Sequence, residues 1–362
     1  MDTQSLNTPL KIWVKEDFRL PNFRPNPLLM HLTPPDTNPE LLYWNKLRDI
    51  LPSLVEVCQF KDLEEAGSLV VTPNHYKDYI DARNFAAVRE FNKQVLASGR
   101  RLVTFTLGRE YKPLPGEIVF GQSTYRSQED KSVPIPAWLY DLGDQVTPIK
   151  KPTIPTVGFV GHTEYPGRLN SVMRYVPIPD ALVHQLACSS TFNQNVTMGI
   201  RRVIARLVRK RTMKALRQAT NLKSNLIERT MDFFMLPPAV KQRMREEFIQ
   251  SIQDHAYTVC MRGDNNDNHQ MFEVMSARRI PIIIDTNQRF PELGNQMKWE
   301  DVCVIVPYAE LHRIGEIVQA FHDKMSEEDF AEACRKSRQA YDTLMPHNFI
   351  TRIVEDIKKF AG

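Results

Sequence analysis

A loop rich in charged and amide residues, RGDNNDNHQ, follows the apolar run YTVC and precedes a segment with a helical pattern. Arg262 in this loop could make a bidentate contact with a phosphate, and Gly263 allows the backbone to turn sharply or to approach a ligand. The N-terminal amides of the following helix favour an anion in the same space. Glu273 lies about one turn into that helix, where its carboxylate could accept hydrogen bonds from sugar hydroxyls. An anion site beside a hydroxyl acceptor suits a nucleotide sugar.

Ordinary structural roles also explain these residue types. Arg-Gly pairs are common in loops after strands, and a glutamate in the first turn of a helix complements the helix dipole. The run DNNDN has the oxygen ligands of a calcium or magnesium loop, but it lacks the glycine at the sixth position and the final glutamate of an EF-hand. We therefore expect a solvated loop there and no metal site.

The segments around this loop have the patterns of alternating strands and helices. Short apolar runs typical of buried parallel strands are GSLVVTP, RLVTFTLG, GEIVFGQS, VGFVGH, YTVC, IPIII and DVCVIV. Helical patterns are LLYWNKLRDIL, DYIDARNFAAVREFNKQVLA, the stretch 200–217, AVKQRMREEFIQSIQD, the segment around Glu273 and three closing segments. This order predicts parallel α/β layers.

A segment with three prolines, DQVTPIKKPTIPT, is typical of a linker between domains. The 362 residues also exceed what one core usually supports. We predict an α/β protein in which two doubly wound domains, residues 1–150 and 151–345, face each other across a cleft. Residues 346–362 form a C-terminal helix that packs back on the first domain. Ligands of such sheets bind at the carboxyl ends of the strands.

Composition excludes several classes of protein. Hydrophobic residues make up 42% and charged residues 25%, as in globular proteins, and a net charge of +4 is too small to indicate a nucleic-acid partner. The five cysteines are widely spaced, without a CxxC pair or a Cys/His cluster that would indicate zinc. No segment approaches the roughly 20 apolar residues of a membrane helix. We expect a soluble, cytoplasmic protein with reduced thiols.

One combination of motifs is more specific. The order C-x-R-G, a short polar loop, F-E, I-P-I-I-I-D, F-P-E-L and W-E-D-V-C-V-I-V resembles the donor-binding half of exostosin-family glycosyltransferases, above all their bacterial exostosin-like members. The similarity extends to VGFVGH and FHDKMSEEDF and, more weakly, to RLVTFTLG and IVFGQSTYRS.

The resemblance implies a GT-B architecture of two Rossmann-like domains. The C-terminal domain would bind a nucleotide-sugar donor, and the N-terminal domain would bind a glycan or lipid-linked glycan acceptor. It also implies that Arg262 contacts the diphosphate region and that Glu273 binds the ribose or the sugar. Activity in surface polysaccharide or lipopolysaccharide synthesis is the corresponding expectation.

This chain departs from the family pattern at one point. The family usually has a serine and an arginine in the turn before F-E, where this chain has NHQM from Asn268 to Met271. Either His269 or Gln270 replaces the missing phosphate contact, or the protein is a non-catalytic carbohydrate- or nucleotide-binding protein on the same fold.

A second candidate donor contact follows the run VGFVGH. Gly161 and His162 would approach the diphosphate at the end of a strand, and Arg168 would be a further anion contact. A turn glycine and a solvated arginine are the ordinary alternatives.

Sugar transfer with inversion needs a base that accepts the proton of the acceptor hydroxyl. The candidates are His75 and Asp78 in TPNHYKDY, Glu110 in LGREY, and Glu164, with a slight preference for the two glutamates. Each is equally consistent with a helix cap or a surface charge. GT-B enzymes usually need no divalent metal, so we expect no cofactor besides the donor substrate.

The stretch 200–217 carries eight lysines and arginines and no acid, with an apolar stripe at helical spacing. It could contact an anionic membrane, at the inner face of which the protein would be peripheral. It could also attract the anionic donor or an acidic polysaccharide, or be a core helix with a solvated basic face. No aromatic residues are interleaved with the charges, so we expect no nucleic-acid partner.

Overall fold

The computed structural model describes residues 8–35, 44–106, 111–128, 132–138, 140–165, 167–173, 175–230, 236–294 and 296–361. The first sheet contains β1 (Leu10–Lys15), β2 (Val55–Phe60), β3 (Leu69–Val71), β4 (Arg101–Thr106), β5 (Glu117–Gly121) and β6 (Ser132–Pro134). Their order is β2-β1-β3-β4-β5-β6, and all neighbouring strands are parallel.

The second sheet contains β7 (Thr156–His162), β8 (Lys223–Arg229), β9 (Tyr257–Met261), β10 (Ile280–Asp285) and β11 (Val304–Pro307). Their order is β11-β10-β9-β7-β8, again all parallel. The prediction of an α/β protein with two GT-B-like, Rossmann-like sheets facing a cleft is confirmed.

Helices connect the strands of both sheets. In the first half of the chain they are α1 (Lys46–Leu54), α2 (Tyr76–Asp81) and α3 (Phe85–Ala97). In the second half they are α4 (Arg168–Met173), α5 (Asp180–Cys188), α6 (Ser190–Asn195), α7 (Met198–Gln218), α8 (Pro238–Asp254), α9 (Gln270–Ser276), α10 (Ile314–Asp323), α11 (Glu327–Leu344) and α12 (Pro346–Ala361). None of these helices is both long and apolar enough to cross a bilayer.

Several parts of the secondary structure differ from the sequence prediction. The single helix predicted over residues 78–97 is divided between α2 and α3, because Arg83 adopts a left-handed conformation with φ of 59°. Strands β2, β6 and β8 and helices α4, α5 and α6 were not predicted. The three strands are edge strands: β6 has only three residues, and the sequences of β2 and β8, VEVCQF and KSNLIER, carry polar residues that interrupt an apolar run.

The central strands follow the burial expected of parallel sheets. Every residue of β9 is buried, as are the first five residues of β10. Helix α12 returns from the second half of the chain and packs against α1, where Ile350, Ile353 and Ile357 share a core with Leu47 and Leu51.

Polar contacts also join the two halves. Arg126 donates to Asp285, with Nη2 2.8 Å from Oδ2, and the Arg289 amide donates to the Thr124 carbonyl over 3.1 Å. The Trp138 indole donates to the Leu344 carbonyl over 2.7 Å. The first two bonds hold the loops that follow β5 and β10 against each other, and the third holds the segment after β6 against the end of α11.

Candidate functional site

A cleft of about 1090 Å³ lies between the two sheets. In each sheet the strand order reverses direction at one point, between β1 and β3 in the first and between β7 and β9 in the second. The segments that follow these four strands line the cleft, with Arg24 and Asp78 on one side and Gly161 and Gly263 on the other. Doubly wound sheets bind ligands at such reversal points, where the loops diverge and leave a crevice.

Arg262 does not line this cleft. It is buried, and its guanidinium donates to the Ala187 carbonyl over 2.6 Å and to Asn193 Oδ1 over 3.1 Å. Its donors therefore hold the junction of α5 and α6 against the end of β9. The expected contact between Arg262 and a diphosphate is not supported by this geometry, because a residue directly after a buried strand can turn its side chain under the sheet edge.

Arg209 of α7 is half-buried and lies next to the same loop, on its cleft side. Its Nε donates to the Arg262 carbonyl over 3.0 Å and its Nη1 to the His162 carbonyl over 2.6 Å. Its Nη2 has no hydrogen-bond partner among the described residues and lies 3.9 Å from where a Cβ on Gly263 would be. Two hydrogen bonds therefore fix the Arg209 guanidinium, and its third nitrogen, Nη2, faces the cleft between the ends of β7 and β9.

Further arginines line this wall of the cleft, together with the carboxylates Glu164, Asp264, Asp267 and Glu273, and Arg202 pairs with Asp264 over 3.6 Å. The arginines that line it are Arg201, Arg202, Arg209, Arg229 and Arg245. Three of them come from α7, whose apolar side faces the core through Val203, Ile204 and Val208. The basic helix is thus packed in the domain with part of its charge directed into the cleft.

Four other cations of α7 have anionic or carbonyl partners, and one of them, Arg206, donates to the Met173 carbonyl over 3.1 Å. Arg211 Nε lies 2.7 Å from Asp180 Oδ1, Arg217 pairs with Glu228, and Lys210 pairs with Glu164. Glu164 lines the cleft, but this ion pair neutralises it.

The turn before α9 contributes an amide. Asn268 is buried and lines the cleft, and its Oδ1 accepts from the Met271 amide over 3.2 Å. Its Nδ2 has no hydrogen-bond partner among the described residues. A buried donor costs about 1–3 kcal/mol when it is unsatisfied, so a ligand oxygen in the cleft would be favoured there.

The residues predicted to replace the family arginine have different roles. Gln270 lines the cleft and donates to the Val160 carbonyl over 3.1 Å, which fixes α9 to β7. His269 is half-exposed, and its Nε2 lies 3.3 Å from Asp267 Oδ2. Burial alone would lower the pKa of His269, but the Asp267 carboxylate outweighs burial and raises it. Helix α9 has only seven residues, so anion binding rests on side chains rather than on its dipole.

Glu273 lines the cleft as expected and is held by an arginine that sequence reasoning missed. Arg245 Nη1 donates to Glu273 Oε1 over 2.6 Å. The Arg245 guanidinium also lies 4.7 Å from the ring centre of Tyr140, on the segment that joins the two sheets. The carboxylate thus has a fixed orientation at the end of the cleft nearest that segment.

The candidate bases occupy different environments. His75 is buried, its ring lies edge-on to Phe105, and burial lowers its pKa to about 3, so it is neutral and does not line the cleft. Asp78 lines the cleft from α2, and burial raises its pKa to about 6. Glu110 and the side chain of Arg168 lie outside the described residues.

The first domain also lines its side of the cleft with aromatic residues. Trp44 and Trp138 meet edge to face with ring centres 4.9 Å apart, and the Arg24 guanidinium lies 5.2 Å from the Trp44 ring. In the described part of the chain no three His, Cys, Asp or Glu side chains are grouped as metal ligands.

Comparison with known proteins adds similarity of structure only. A glycosyltransferase from Rickettsia africae ESF-5 matches with 11% identity and a TM-score of 0.38, covering 98% of each chain. An alpha-glucosyltransferase, solved in complex with UDP and a 13-mer DNA containing a HMU base, matches with 8% identity and a TM-score of 0.35, covering 98% of this chain and 99% of that one. No protein-family model and no curated protein matches the chain.

Proposed function

We propose that the protein is an exostosin-like glycosyltransferase that moves a sugar from a nucleotide-sugar donor to a glycan or lipid-linked glycan acceptor. The observation that carries this proposal is the pairing of an arginine-lined wall at the reversal point of the second sheet with Asp78 at the reversal point of the first. An anion held on one side and a carboxylate on the other are what a displacement at a sugar phosphate requires.

The donor diphosphate would bind along Arg209, Arg202 and Asn268. Arg209 Nη2 and Asn268 Nδ2 are donors without partners among the described residues, and both residues line the same cleft. In this arrangement Arg209 supplies the cation that the turn before Phe272 lacks. Glu273, oriented by Arg245, would accept hydrogen bonds from ribose or sugar hydroxyls.

The reaction would be a single displacement with inversion. Asp78 takes the proton of the acceptor hydroxyl as its oxygen bonds to the anomeric carbon. The bond from that carbon to the diphosphate oxygen breaks, and the nucleoside diphosphate leaves with the electron pair. Arg209 and Arg202 stabilise its charge, so no metal ion is required. The pKa of Asp78, raised by burial to about 6, suits a base that works near neutral pH.

The acceptor sugar would lie against the first domain. Trp44 and Trp138 are largely buried and contribute apolar surface to this side of the cleft, against which a sugar ring would pack, and Arg24 and Gln122 line the same region. A surface polysaccharide or lipopolysaccharide precursor, handled at the cytoplasmic side of a membrane, is the acceptor class that we propose.

A thermal-shift panel of nucleotides and nucleotide sugars tests the donor site. A ligand at one hundred times its dissociation constant adds about 2.7 kcal/mol to the free energy of unfolding. We expect one nucleotide class to stabilise the wild type, Arg209→Ala to lose that stabilisation, and Arg209→Lys to keep part of it. Arg217→Ala is the matched control, because Arg217 lies on the same helix but pairs with Glu228 outside the cleft. Failure of every nucleotide to stabilise the wild type would contradict the proposal.

A further inference from the structure

One histidine of the cleft is paired with an aspartate of the same loop. His269 directly precedes α9, lines the cleft and has a side chain that is 45% exposed. Its Nε2 lies 3.3 Å from Oδ2 of Asp267, whose side chain is only 11% exposed. Its Nδ1 has no hydrogen-bond partner among the residues that the structure describes. Asp267 therefore holds the imidazole at one nitrogen, and the other nitrogen is available to a ligand.

The Asp267 carboxylate sets the tautomer of this ring. A neutral imidazole that keeps its proton on Nε2, toward Asp267, has Nδ1 as a hydrogen-bond acceptor. An acceptor repels a phosphate oxygen, whereas Nδ1 of the imidazolium donates to one in a charge-assisted bond. Burial alone would lower the pKa of His269, but the Asp267 carboxylate outweighs burial and raises it above 6.5. His269 therefore meets a phosphate as a charged donor.

Two further carboxylates act on His269, and each has an arginine partner. Asp264 of the same loop and Glu273 of α9 both raise the pKa of the ring, after Asp267. Arg202 of α7 lies 3.6 Å from Asp264, and Arg245 of α8 donates to Glu273. Because these arginines offset both charges, the Asp267 carboxylate is the main influence on the ring.

The other elements around the cleft contribute charges of both signs. Arg209 of α7 directs Nη2 into the cleft beside the loop that contains His269. On the opposite side, α2 contributes Asp78 and the ion pair of Lys77 with Asp81. An acceptor hydroxyl at Asp78 and a departing diphosphate at His269 would therefore lie on opposite sides of the cleft.

His269 belongs to the turn that the donor diphosphate would occupy. The preceding residue, Asn268, is buried, and its Nδ2 has no hydrogen-bond partner in the described part of the chain. Both side chains line the cleft with Arg202, which pairs with the same Asp264 that acts on His269. The imidazolium is thus part of the wall that would bind the phosphates.

We propose that His269 is the general acid of the transfer reaction, with Asp267 as its positioning residue. This inference rests on the proposed sugar transfer. When the bond between the anomeric carbon and the diphosphate oxygen breaks, that oxygen keeps the electron pair and takes the proton of Nδ1. The ring becomes neutral, keeps its Nε2 proton toward Asp267, and regains a proton from water at its exposed side. Since Asp78 takes the acceptor proton, one group must be ionised and the other protonated.

The pH profile of nucleoside diphosphate release tests the general acid. The substrates are UDP-, GDP-, dTDP- and ADP-sugars. We expect turnover by the wild type to rise as Asp78 ionises and to fall again at alkaline pH as His269 loses its proton. His269→Asn should turn over at least about 10²-fold more slowly at pH 7 and should lose the alkaline limb. His312→Asn is the matched control with an expected wild-type profile, because His312 is an exposed histidine between β11 and α10 that does not line the cleft.

Asp267→Asn separates positioning from packing. Without the carboxylate, the alkaline limb should move to lower pH by about one pH unit or more. An NMR titration of the His269 ring in the full chain, assigned with His269→Asn, should show the same change without any substrate. A substitution that only loosened the packing would lower activity and leave this titration in place.

Three results would overturn the general acid: a His269→Asn protein with wild-type turnover, a His269→Asn protein that keeps the alkaline limb, and a wild-type profile without that limb. An unchanged His269 titration in Asp267→Asn would overturn the role of the aspartate. A wild type that turns over no nucleotide sugar would contradict the proposed transfer itself, whereas turnover that does not depend on His269 contradicts the general acid alone.

Discussion

Arg245 and Glu273 form an ion pair at the edge of the cleft, with Nη1 donating to Oε1 over 2.6 Å. Arg245 also stacks on Tyr140, so the pair connects α8, α9 and the segment that joins the two sheets. The orientation of the Glu273 carboxylate thus depends on how that segment packs.

The first prediction concerns this pair. Arg245→Ala removes the cation from a largely buried carboxylate, so we expect the free energy of unfolding to fall by roughly 2–4 kcal/mol in urea titrations. The joint change Arg245→Met/Glu273→Gln should recover part of that loss, because it removes both charges. Nucleotide-sugar stabilisation should be weakened in both proteins. An Arg245→Ala protein with wild-type stability and ligand response would show that the pair has no such role.

Asp78 provides a prediction in which activity and stability change in opposite directions. Its pKa is raised by burial from 3.8 to about 6, so the folded state holds the proton more tightly than the unfolded state does. The contribution of this group to stability therefore falls as pH rises from about 4 to about 6. Asp78→Asn should raise the free energy of unfolding at pH 7 by at least about 1 kcal/mol.

The same variant should lose activity by roughly 10²–10⁴-fold, the usual contribution of a general base. Wild-type turnover should fall as pH drops below about 6, when the base becomes protonated. Asp49→Asn is the control, because Asp49 is an exposed aspartate of α1 that does not line the cleft. An active Asp78→Asn enzyme would exclude Asp78 as the base.

Substitution of His75 should change the stability of the protein in acid and should not affect its ligand binding. Burial, and then the charge of Arg24, lower the pKa of its ring to about 3, so the unfolded state binds the proton more readily. The stability that this neutral histidine maintains is present above pH 6.5 and is lost as pH falls toward 3. His75→Leu should reduce the acid sensitivity of the melting temperature and leave nucleotide stabilisation unchanged. Loss of ligand binding in this variant would contradict the assignment.

Substitutions of Gly263 test whether this glycine leaves room for a ligand or is required by a strained turn. A Cβ there would meet only Arg209 Nη2, at 3.9 Å, and the backbone is not left-handed. Gly263→Ala should therefore fold with nearly unchanged stability. Gly263→Leu should cover the Arg209 guanidinium and weaken nucleotide affinity at least about tenfold, an effect that isothermal titration would measure. Equal affinities for the alanine and leucine variants would place the ligand elsewhere.

The sequence predicted four of the five strands of the second sheet, since parallel strands buried on both faces are short continuous apolar runs, as in YTVC and IPIII. The division between α2 and α3 was not predictable, because the left-handed residue is Arg83 rather than a glycine. The spacing of Ser326 and Asp329 in MSEEDF is typical of a capping box, and the structure contains one, with the Asp329 amide donating to Ser326 Oγ over 3.1 Å.

The site was harder to predict than the fold. Arg262 was predicted to contact the donor diphosphate because it directly follows β9. Its side chain turns inward, and Arg209, 53 residues earlier, lines the cleft in its place. Arg245 is likewise distant from Glu273 in the sequence, and it reaches Glu273 from a different helix. The basic stretch of α7 was the only sequence signal that pointed to Arg209. No local sequence pattern pointed to Arg245.

Turnover of the nucleotide sugar identified by thermal shift tests the central claim most directly. Release of nucleoside diphosphate at pH 7 would be measured for the wild type, Arg209→Ala, Asp78→Asn and the control Arg217→Ala. We predict slow hydrolysis by the wild type and the control and its loss in the other two variants. A wild-type protein that binds the donor but releases no nucleoside diphosphate, alone or with glycan acceptors, would contradict the account and identify a carbohydrate- or nucleotide-binding protein on the same fold.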